Sequence, residues 1–558
     1  MTTTVVVVGG GISGLAFACA FLGEEDEQTQ TTQHSTQHST QHSTQHSTQH
    51  STQHSTQHST QHSTQHSTQH STQHSTQHST QHSTQHSTQH STQESTQEST
   101  QQAPKETANR NAAHAAKKVV VVLERAASPE DMQTQLGHSL SLRADAGGVD
   151  AVARLGMEEE LRSLATVSQG PVLAEVVQRH VRKVIASDEV LANARRLGIR
   201  ISRFVLWQAL LKRAQALGAD VRFGAEVTGL QQIEALSHKR NQDRLSSVTA
   251  TAQAATQCVD VTLADGSALR GDVLVAADGV GSTVRRMLEP EWTADVLDTV
   301  IVGATVNVDD MDAALPPMLH RRHGLVCGRE GTALFLADEG DNRVLVALAL
   351  PTPPSEQGTL YAHDALRHDE ALMARALGAA AEYGDKLEAL ITQAVTAPSS
   401  YVRMCRDGAC VPPRGRVVFI GDASHPVSQF GGDGASMALS DGVGLASMLS
   451  RAVQSAAQGG HGEGDASSSS PVDVQGVLQQ FFAQTAPAWR KARQSPHNAA
   501  KILLTSSPTA LFLRDTAFAT TRAAVAHPRV SAITAGVALA ALAAGVAYGT
   551  RRLIRALA

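Results

Sequence analysis

The chain is poor in the residue types that would place it quickly. Aromatic residues make up only 3% of its 558 positions and charged residues 18%. The net charge of −6, with histidine counted neutral, gives no electrostatic basis for nucleic-acid binding, so no nucleic-acid partner is expected. The five cysteines (Cys19, Cys258, Cys327, Cys405 and Cys410) are odd in number and scattered, with no Cys-x-x-Cys pair. That argues against a disulfide framework and a zinc site, and points to an intracellular, reducing compartment. No metal ligands are assigned. No basic stretch precedes Val5, so no secretory leader is expected.

What is abundant is polar and repetitive. From Gln33 to Thr100 there is no apolar residue, and fifteen histidines recur at every fourth position from His34 to His90. Such a tract buries nothing against a core, and Ser and Thr are poor helix formers. Residues 24–116 therefore read as a disordered low-complexity insert in a surface loop, where long insertions cost little. Histidines four apart on a helix could instead share one face and capture a metal. Near the other end, Val530–Gly549 is twenty residues without a charge, eight of them Ala, followed by Arg551, Arg552 and Arg555. Its length makes it a candidate transmembrane helix, and hence a candidate membrane partner site; the alternative is an Ala-rich segment that is a helix packed on the protein or is disordered.

Three motifs carry chemistry. The first is "VVVVGGGISG". Val5–Val8 is the β-branched run of a buried parallel strand. Gly9 allows a tight turn, Gly11 lets backbone approach a pyrophosphate, and Gly14 lets helix and strand pack closely. Ser13 lies in the same turn, whose helix N-terminus faces the phosphates. Without the 93 residues 24–116, the interval from Gly14 to Glu124 falls from 110 positions to 17. An acidic residue about 20 positions past such a turn accepts the hydroxyls of a ribose. The second motif is "GDVLVAADGVGSTVRRML". Strand Val273–Ala277 delivers Asp278 at its C-terminal end, where ligands of open α/β sheets bind, and Ser282 and Arg285 follow. Asp278 could instead only cap a helix. The third is "GRVVFIGDASHPVSQFGGDGASMALSDGVGLASML". Strand Val417–Ile420 ends in Asp422, placed to accept a polyol hydroxyl. A loop through Gly432 and Gly434 then opens a helix at Ala435, whose free N–H groups would stabilise negative charge on a ligand.

In this order the motifs resemble the FAD-dependent single-component (class A) aromatic monooxygenases with the hydroxybenzoate-hydroxylase fold, nearest to fungal and tetracycline-inactivating-type members. The resemblance runs over residues 1–23 and 117–500. It departs at Gln429, where the family usually has Pro, and at Ser436, where it usually has Asn. It also covers "ISRFVLWQALL", where Arg203 matches an arginine that reaches the flavin phosphates or ribityl chain. By the same resemblance Arg125 stacks by the adenine or meets NADPH, and Ser141 lies near the flavin N5 edge. The resemblance implies FAD as cofactor, NAD(P)H as co-substrate, and O2 as oxidant. It implies hydroxylation of a small aromatic or polycyclic substrate through a C4a-hydroperoxyflavin, with no side chain assigned a catalytic role. Two alternatives stay open: another flavoenzyme on the fold, such as an epoxidase or reductase, or a non-catalytic flavin- or metal-binding protein. With three Trp residues there is no Trp-rich motif of a halogenase.

The expected architecture is α/β. A Rossmann-type FAD-binding domain (1–23, 117–166, 196–290 and 401–450) is interleaved with a β-sheet substrate domain (167–195 and 291–400). A linker at 457–471, C-terminal helices at 472–525 and the 530–549 stretch complete a monomer or homodimer. "GTALFLADEGDNRVLVALALP" reads as a hairpin turning at Gly340-Asp341-Asn342, with His323, Phe335 and Tyr401 as pocket candidates. A version lacking residues 24–116 should bind FAD as tightly as the full chain in a fluorescence titration. A large drop in affinity would give the insert a role in the site.

Overall fold

The computed structural model describes residues 2–23, 117–135, 138–166, 170–186, 198–234, 256–352, 368–458 and 472–526. The repeat tract and Val530–Gly549 lie outside these residues. Among the described residues no helix is long and apolar enough to cross a membrane. The chain divides into two compact units. One comprises Met1, Gly23–Lys117 and Val453–Pro471, of which only 23, 117 and 453–458 are described. The other, Thr2–Leu22, Lys118–Ala452 and Val472–Ala558, carries the fold.

Its first layer is a five-stranded sheet in the order Val417–Phe419, Val273–Ala276, Thr2–Val8, Lys117–Leu123, Asp220–Arg222. Val5–Val8 pairs in parallel with Val273–Ala276, which pairs in parallel with Val417–Phe419. The period-two alternation of a strand distributes the valines over both faces. Val5 and Val7, with Val120 and Val122, pack against Leu15, Phe17 and Phe21 of the helix at 12–23 and against Trp207 and Leu210. Val6 and Val8, with Val121 and Leu123, pack against Val259 and Val261. These last belong to a three-stranded antiparallel sheet, Val227–Glu234, Thr256–Leu263 and Ala268–Gly271. Burial on both faces is why the parallel strands read as unbroken apolar runs. Cys19, on the first helix, is buried, and its thiol is pushed up to about 12 by that burial, so it is a packing residue.

The second layer is a seven-stranded sheet in the order Tyr401–Asp407, Asp295–Asn307, Arg343–Pro351, Ala333–Asp338, His323–Cys327, Pro171–Val177, His180–Ala186. It extends through Asp407, past the boundary at 400 read from the sequence, because Tyr401–Asp407 pairs along Asp295–Asn307. The hairpin between Ala333–Asp338 and Arg343–Pro351 turns through Gly340, Asp341 and Asn342, all with positive φ. One sheet face (Val302, Val346, Leu348, Leu336) packs on Leu387, Leu390 and Ile391 of the helix Asp385–Thr396. The other carries a smaller cluster, Leu297, Ile301, Ala333, Ala347 and Ala349. A two-stranded ribbon, Ser139–Leu142 with Ile199–Ser202, completes the sheets.

Leu348 is fully buried in the larger cluster. Leu348→Ala should lower unfolding stability by about 2–5 kcal/mol, read as a shift in the denaturant midpoint at constant slope.

Candidate functional site

Two glycines of the turn, Gly9 and Gly14, are held by backbone contacts that leave no room for a side chain. Gly9 has φ +106° and its N–H donates to the Leu123 carbonyl at 2.8 Å. A Cβ on Gly9 would lie 2.4 Å from the Ala277 carbonyl oxygen, and one on Gly14 would lie 2.1 Å from the Gly9 oxygen. A Cβ on Gly11 would meet nothing within 4 Å. Gly11 is thus the position where the turn is open to a ligand, while Gly9 and Gly14 serve the fold. Glu124 closes the turn: Oε2 accepts from the Gly10 N–H at 2.8 Å and Oε1 from the Ala126 N–H at 2.9 Å. Arg125 is exposed beside it. Trp207 donates its indole N–H to the Gly10 carbonyl at 2.7 Å from the helix Arg203–Ala216. Its position there follows from the helical spacing of Leu206 and Leu210, but its hydrogen bond is not legible in sequence.

The second motif does two things at once. Asp278 Oδ2 accepts from the Thr283 and Val284 N–H groups at 2.7 and 3.2 Å, and so caps the short helix Thr283–Leu288 together with Ser282. Its Oδ1 is buried without a hydrogen-bond partner. Burial raises the Asp278 pKa against the lowering effect of these contacts. Arg285 bridges to the third motif, donating to the carbonyls of Asp422 and Ala423 at 3.2 and 2.6 Å, with its guanidinium 3.8 Å from the Trp292 ring centroid. Burial lowers its pKa to about 10.

The first and third motifs meet directly. Gly421 has φ +57°, and a Cβ there would lie 2.9 Å from Ser13 Oγ. The Asp422 side chain keeps solvent-accessible surface although protein surrounds it closely enough that desolvation raises its carboxyl pKa. A side chain with both properties lines a recess, not the outer surface. Arg203, first residue of its helix, and Arg285 offset that rise electrostatically. Arg203 itself is held below the usual guanidinium range by burial.

The loop after the third strand turns through Gly432 at φ +65°, where a Cβ would meet nothing within 4 Å, and opens the helix Gly434–Gln458. Arg143 ties it down. Its guanidinium donates to the Gly431 carbonyl at 2.8 Å and lies 3.4 Å from Asp433, and its backbone N–H donates to Ser436 Oγ at 2.9 Å. Ser436 is fully buried, and a Cβ on Gly148 would lie 2.6 Å from its Oγ. The small serine thus lets residues 143–148 approach the helix closely. Gln429 is exposed in the turn Gln429–Gly431.

Ser141 receives a hydrogen bond from Arg200 at 3.2 Å across the ribbon. Arg200 is buried, donates to Ser139 as well, stands 3.7 Å from Glu339 and lies over the Phe335 ring at 5.4 Å. Its Nε has no hydrogen-bond partner. Burial lowers its pKa to about 10. Phe335 and Tyr401 lie on the smaller cluster of the seven-stranded sheet, as does Phe430 from the Gln429–Gly431 turn. Arg403 shares the Tyr401 face by strand alternation, opposite Ile301. His138 lies beside Tyr401, ring centroids 5.4 Å apart and tilted by 32°, and burial, then Arg203, Arg403 and Arg200, push its pKa down to about 3. Tyr401 is pushed up to about 12 by burial. His323 lies 6.3 Å from the Phe335 ring. Sequence reasoning missed Arg143, Arg200 and Arg403, whose partners are distant in the chain.

A flavin dinucleotide fits these residues. Gly11 and Gly432 leave space for it, Asp278 Oδ1 and Asp422 offer it acceptors, and the Gly434 helix offers it free N–H groups. The FAD binding domain family matches residues 120–463. The monooxygenase cfoF of Aspergillus candidus is 25% identical over 354 residues, 60% of this chain and 76% of the relative. The salicylate hydroxylase of Pseudomonas putida is 29% identical over 204 residues, 34% of this chain and 46% of the relative, so the chain spans about half of its length. Among solved structures, HpxO of Klebsiella pneumoniae complexed with FAD and uric acid superposes with a TM-score of 0.55 at 15% identity, covering 97% of both chains. The tetracycline destructase Tet(51) superposes with a TM-score of 0.51 at 14% identity, covering 96% of this chain and 98% of that one.

Gly11→Ala separates fold from cofactor. Apoprotein stability should change by no more than about 1 kcal/mol, while FAD affinity falls by about tenfold or more. Gly14→Ala should lose both, as read by thermal melting and flavin fluorescence. The FAD binding domain match begins three residues into the second strand of the parallel sheet and runs through the two later motifs, and the Gly-rich turn stands beside it in space: the chain belongs to the FAD binding domain family, among the class A flavin monooxygenases with the hydroxybenzoate-hydroxylase fold.

Proposed function

We propose that the protein is an NAD(P)H- and O2-dependent hydroxylase of a small aromatic or polycyclic substrate that carries an acidic group. When bound, FAD supplies the hydride and oxygen chemistry. The protein's own residues bind, orient and exclude water. Glu124 is suited to the adenosine ribose, Asp422 to the ribityl chain, and the Gly434 helix N-terminus to the edge of the ring system that gains negative charge. Arg125 is suited to the adenine side, Asp278 offers its free Oδ1 to a cofactor hydroxyl, and Arg203, coupled to Asp422, is suited to the phosphates or the ribityl chain. Ser141, already hydrogen-bonded to Arg200, acts through that arginine.

The observation that carries the substrate reading is the sheet face beside Phe430. Ala333, Ala347 and Ala349 are buried on it and Gly303 lies opposite Tyr401, so its centre is flat and apolar. Phe335 and Tyr401 stand at its rim. Such a floor suits a planar ring system. Arg200, Arg203 and Arg403 converge on His138, against the carboxylates Glu339 and Asp422 that counter Arg200 and Arg203. The surplus cation favours an anionic substituent, and His138, with its pKa near 3, stays neutral and adds no further positive charge.

The purified protein should be yellow and should consume NADH or NADPH together with O2, faster when an aromatic acid is added. Arg403→Met should raise KM for that acid about tenfold or more, with a much smaller effect on a neutral phenol. FAD binding with no NAD(P)H oxidation across a panel of aromatics would sink the hydroxylase reading.

A further inference from the structure

A second carboxylate lies behind the Asp422 turn, and the flavin reading gives it no work. Asp441, on the helix Gly434–Gln458, is buried. Its Oδ2 accepts from the Gly421 N–H at 2.9 Å and faces His425 Nε2 at 2.5 Å. Its Oδ1 accepts from the Trp489 indole N–H at 3.0 Å. A carboxylate that already accepts from two N–H groups accepts from the imidazole too, so the His425 proton sits on Nε2. The other ring nitrogen, Nδ1, is buried without a partner. Stacking therefore fixes the ring: His425 and Trp489 lie 4.3 Å apart at 21°. Phe481 and Phe482 meet Trp489 edge-on at 5.9 and 5.8 Å.

Trp489 belongs to the long helix Val474–Leu503, far along the chain from all three cofactor motifs. The same helix lies against the turn Gln429–Gly431. It thus touches the third motif on both sides of Gly434. The Gly421 N–H lies in the Ile420–Gly421 peptide, so Asp441 anchors the backbone one residue before Asp422 and holds the entry to that turn. Without the indole N–H, Asp441 is a buried carboxylate lacking one donor. Rotation to recover hydration would release the Gly421 N–H.

We propose that Trp489 is a positioning residue for the flavin: through Asp441 it fixes the Gly421–Asp422 turn, so the C-terminal helix sets FAD affinity without touching the cofactor. This rests on the flavin site described above. Arg493 supplies the control. It anchors the same helix elsewhere, donating to Asp407 at 3.0 Å and pairing with Asp295.

The test titrates FAD into full-length apoprotein of the wild type, Trp489→Phe and Arg493→Gln, with visible circular dichroism of the bound flavin and thermal melting of each apoprotein. Phenylalanine keeps the stacking and removes only the donor. Trp489→Phe should weaken FAD binding by about tenfold and alter the flavin dichroism, whereas Arg493→Gln stays within about twofold. Asp441→Asn, which keeps the shape but cannot accept from three donors, should move affinity the same way and serves if Trp489→Phe does not fold. Wild-type affinity in Trp489→Phe, or an equal loss in Trp489→Phe and Arg493→Gln, overturns the proposal while leaving the flavin site intact. Failure of the wild type to bind FAD overturns both.

Discussion

The structure depends on how closely backbone approaches backbone around Ser13. A Cβ on Gly442 would lie 2.6 Å from the Ser13 carbonyl oxygen and 2.8 Å from the Phe17 nitrogen. One on Gly421 would lie 2.9 Å from Ser13 Oγ. No side chain larger than hydrogen fits at either glycine without movement. This contact brings the first turn and the third motif to one place although most of the chain separates them. It also fixes the relation between the Gly11 opening and the Asp422 recess, which any ligand spanning the site must match. Distances that short leave little freedom to relax, so errors here propagate to every polar contact built on the two turns.

Much of that arrangement is legible in sequence, and the legible part is local. The unbroken apolar runs Val5–Val8 and Val273–Val275, rich in β-branched residues, announce buried parallel strands, because a short apolar run covering both faces suits that setting. The Gly340-Asp341-Asn342 turn is legible because its residue types tolerate positive φ. Glu124 is legible only after the interval from Gly14 is shortened by the length of the insert. Closure cost grows slowly with loop length, each doubling adding only about 0.6 kcal/mol, so spacing along the chain is a weak constraint even where spacing in the fold is strict.

What could not be read is long-range polar pairing. Trp207 has the helical spacing of a core residue and is one, yet its N–H also holds Gly10. Arg143 and Arg200 look like ordinary charges on either side of a short ribbon. Nothing local says that one reaches Gly431 and the other Glu339. Asp278 shows a different limit. Helix capping and ligand acceptance call for the same residue at the same place, and the carboxylate has two oxygens. Oδ2 caps, Oδ1 stays unpaired, and the two sequence readings do not compete.

Charge balance joins these observations. Burial disfavours either sign, and here it lowers Arg200, Arg203 and Arg285 while raising Asp278 and Asp422. Buried charges persist when each has a partner, and here the partners lie both within a motif and across motifs. Arg285 leans on Asp278 and Asp422, Arg203 on Asp422, and Arg200 on Glu339. Asp422 is therefore shared between two guanidinium groups, which oppose the rise in its pKa caused by desolvation. The charges acting on buried His138 are all guanidinium groups, those of Arg203, Arg403 and Arg200. On the proposed function, a ligand that brings a negative group beside them would gain an interaction in a poorly hydrated place, where charge-assisted hydrogen bonds are strongest.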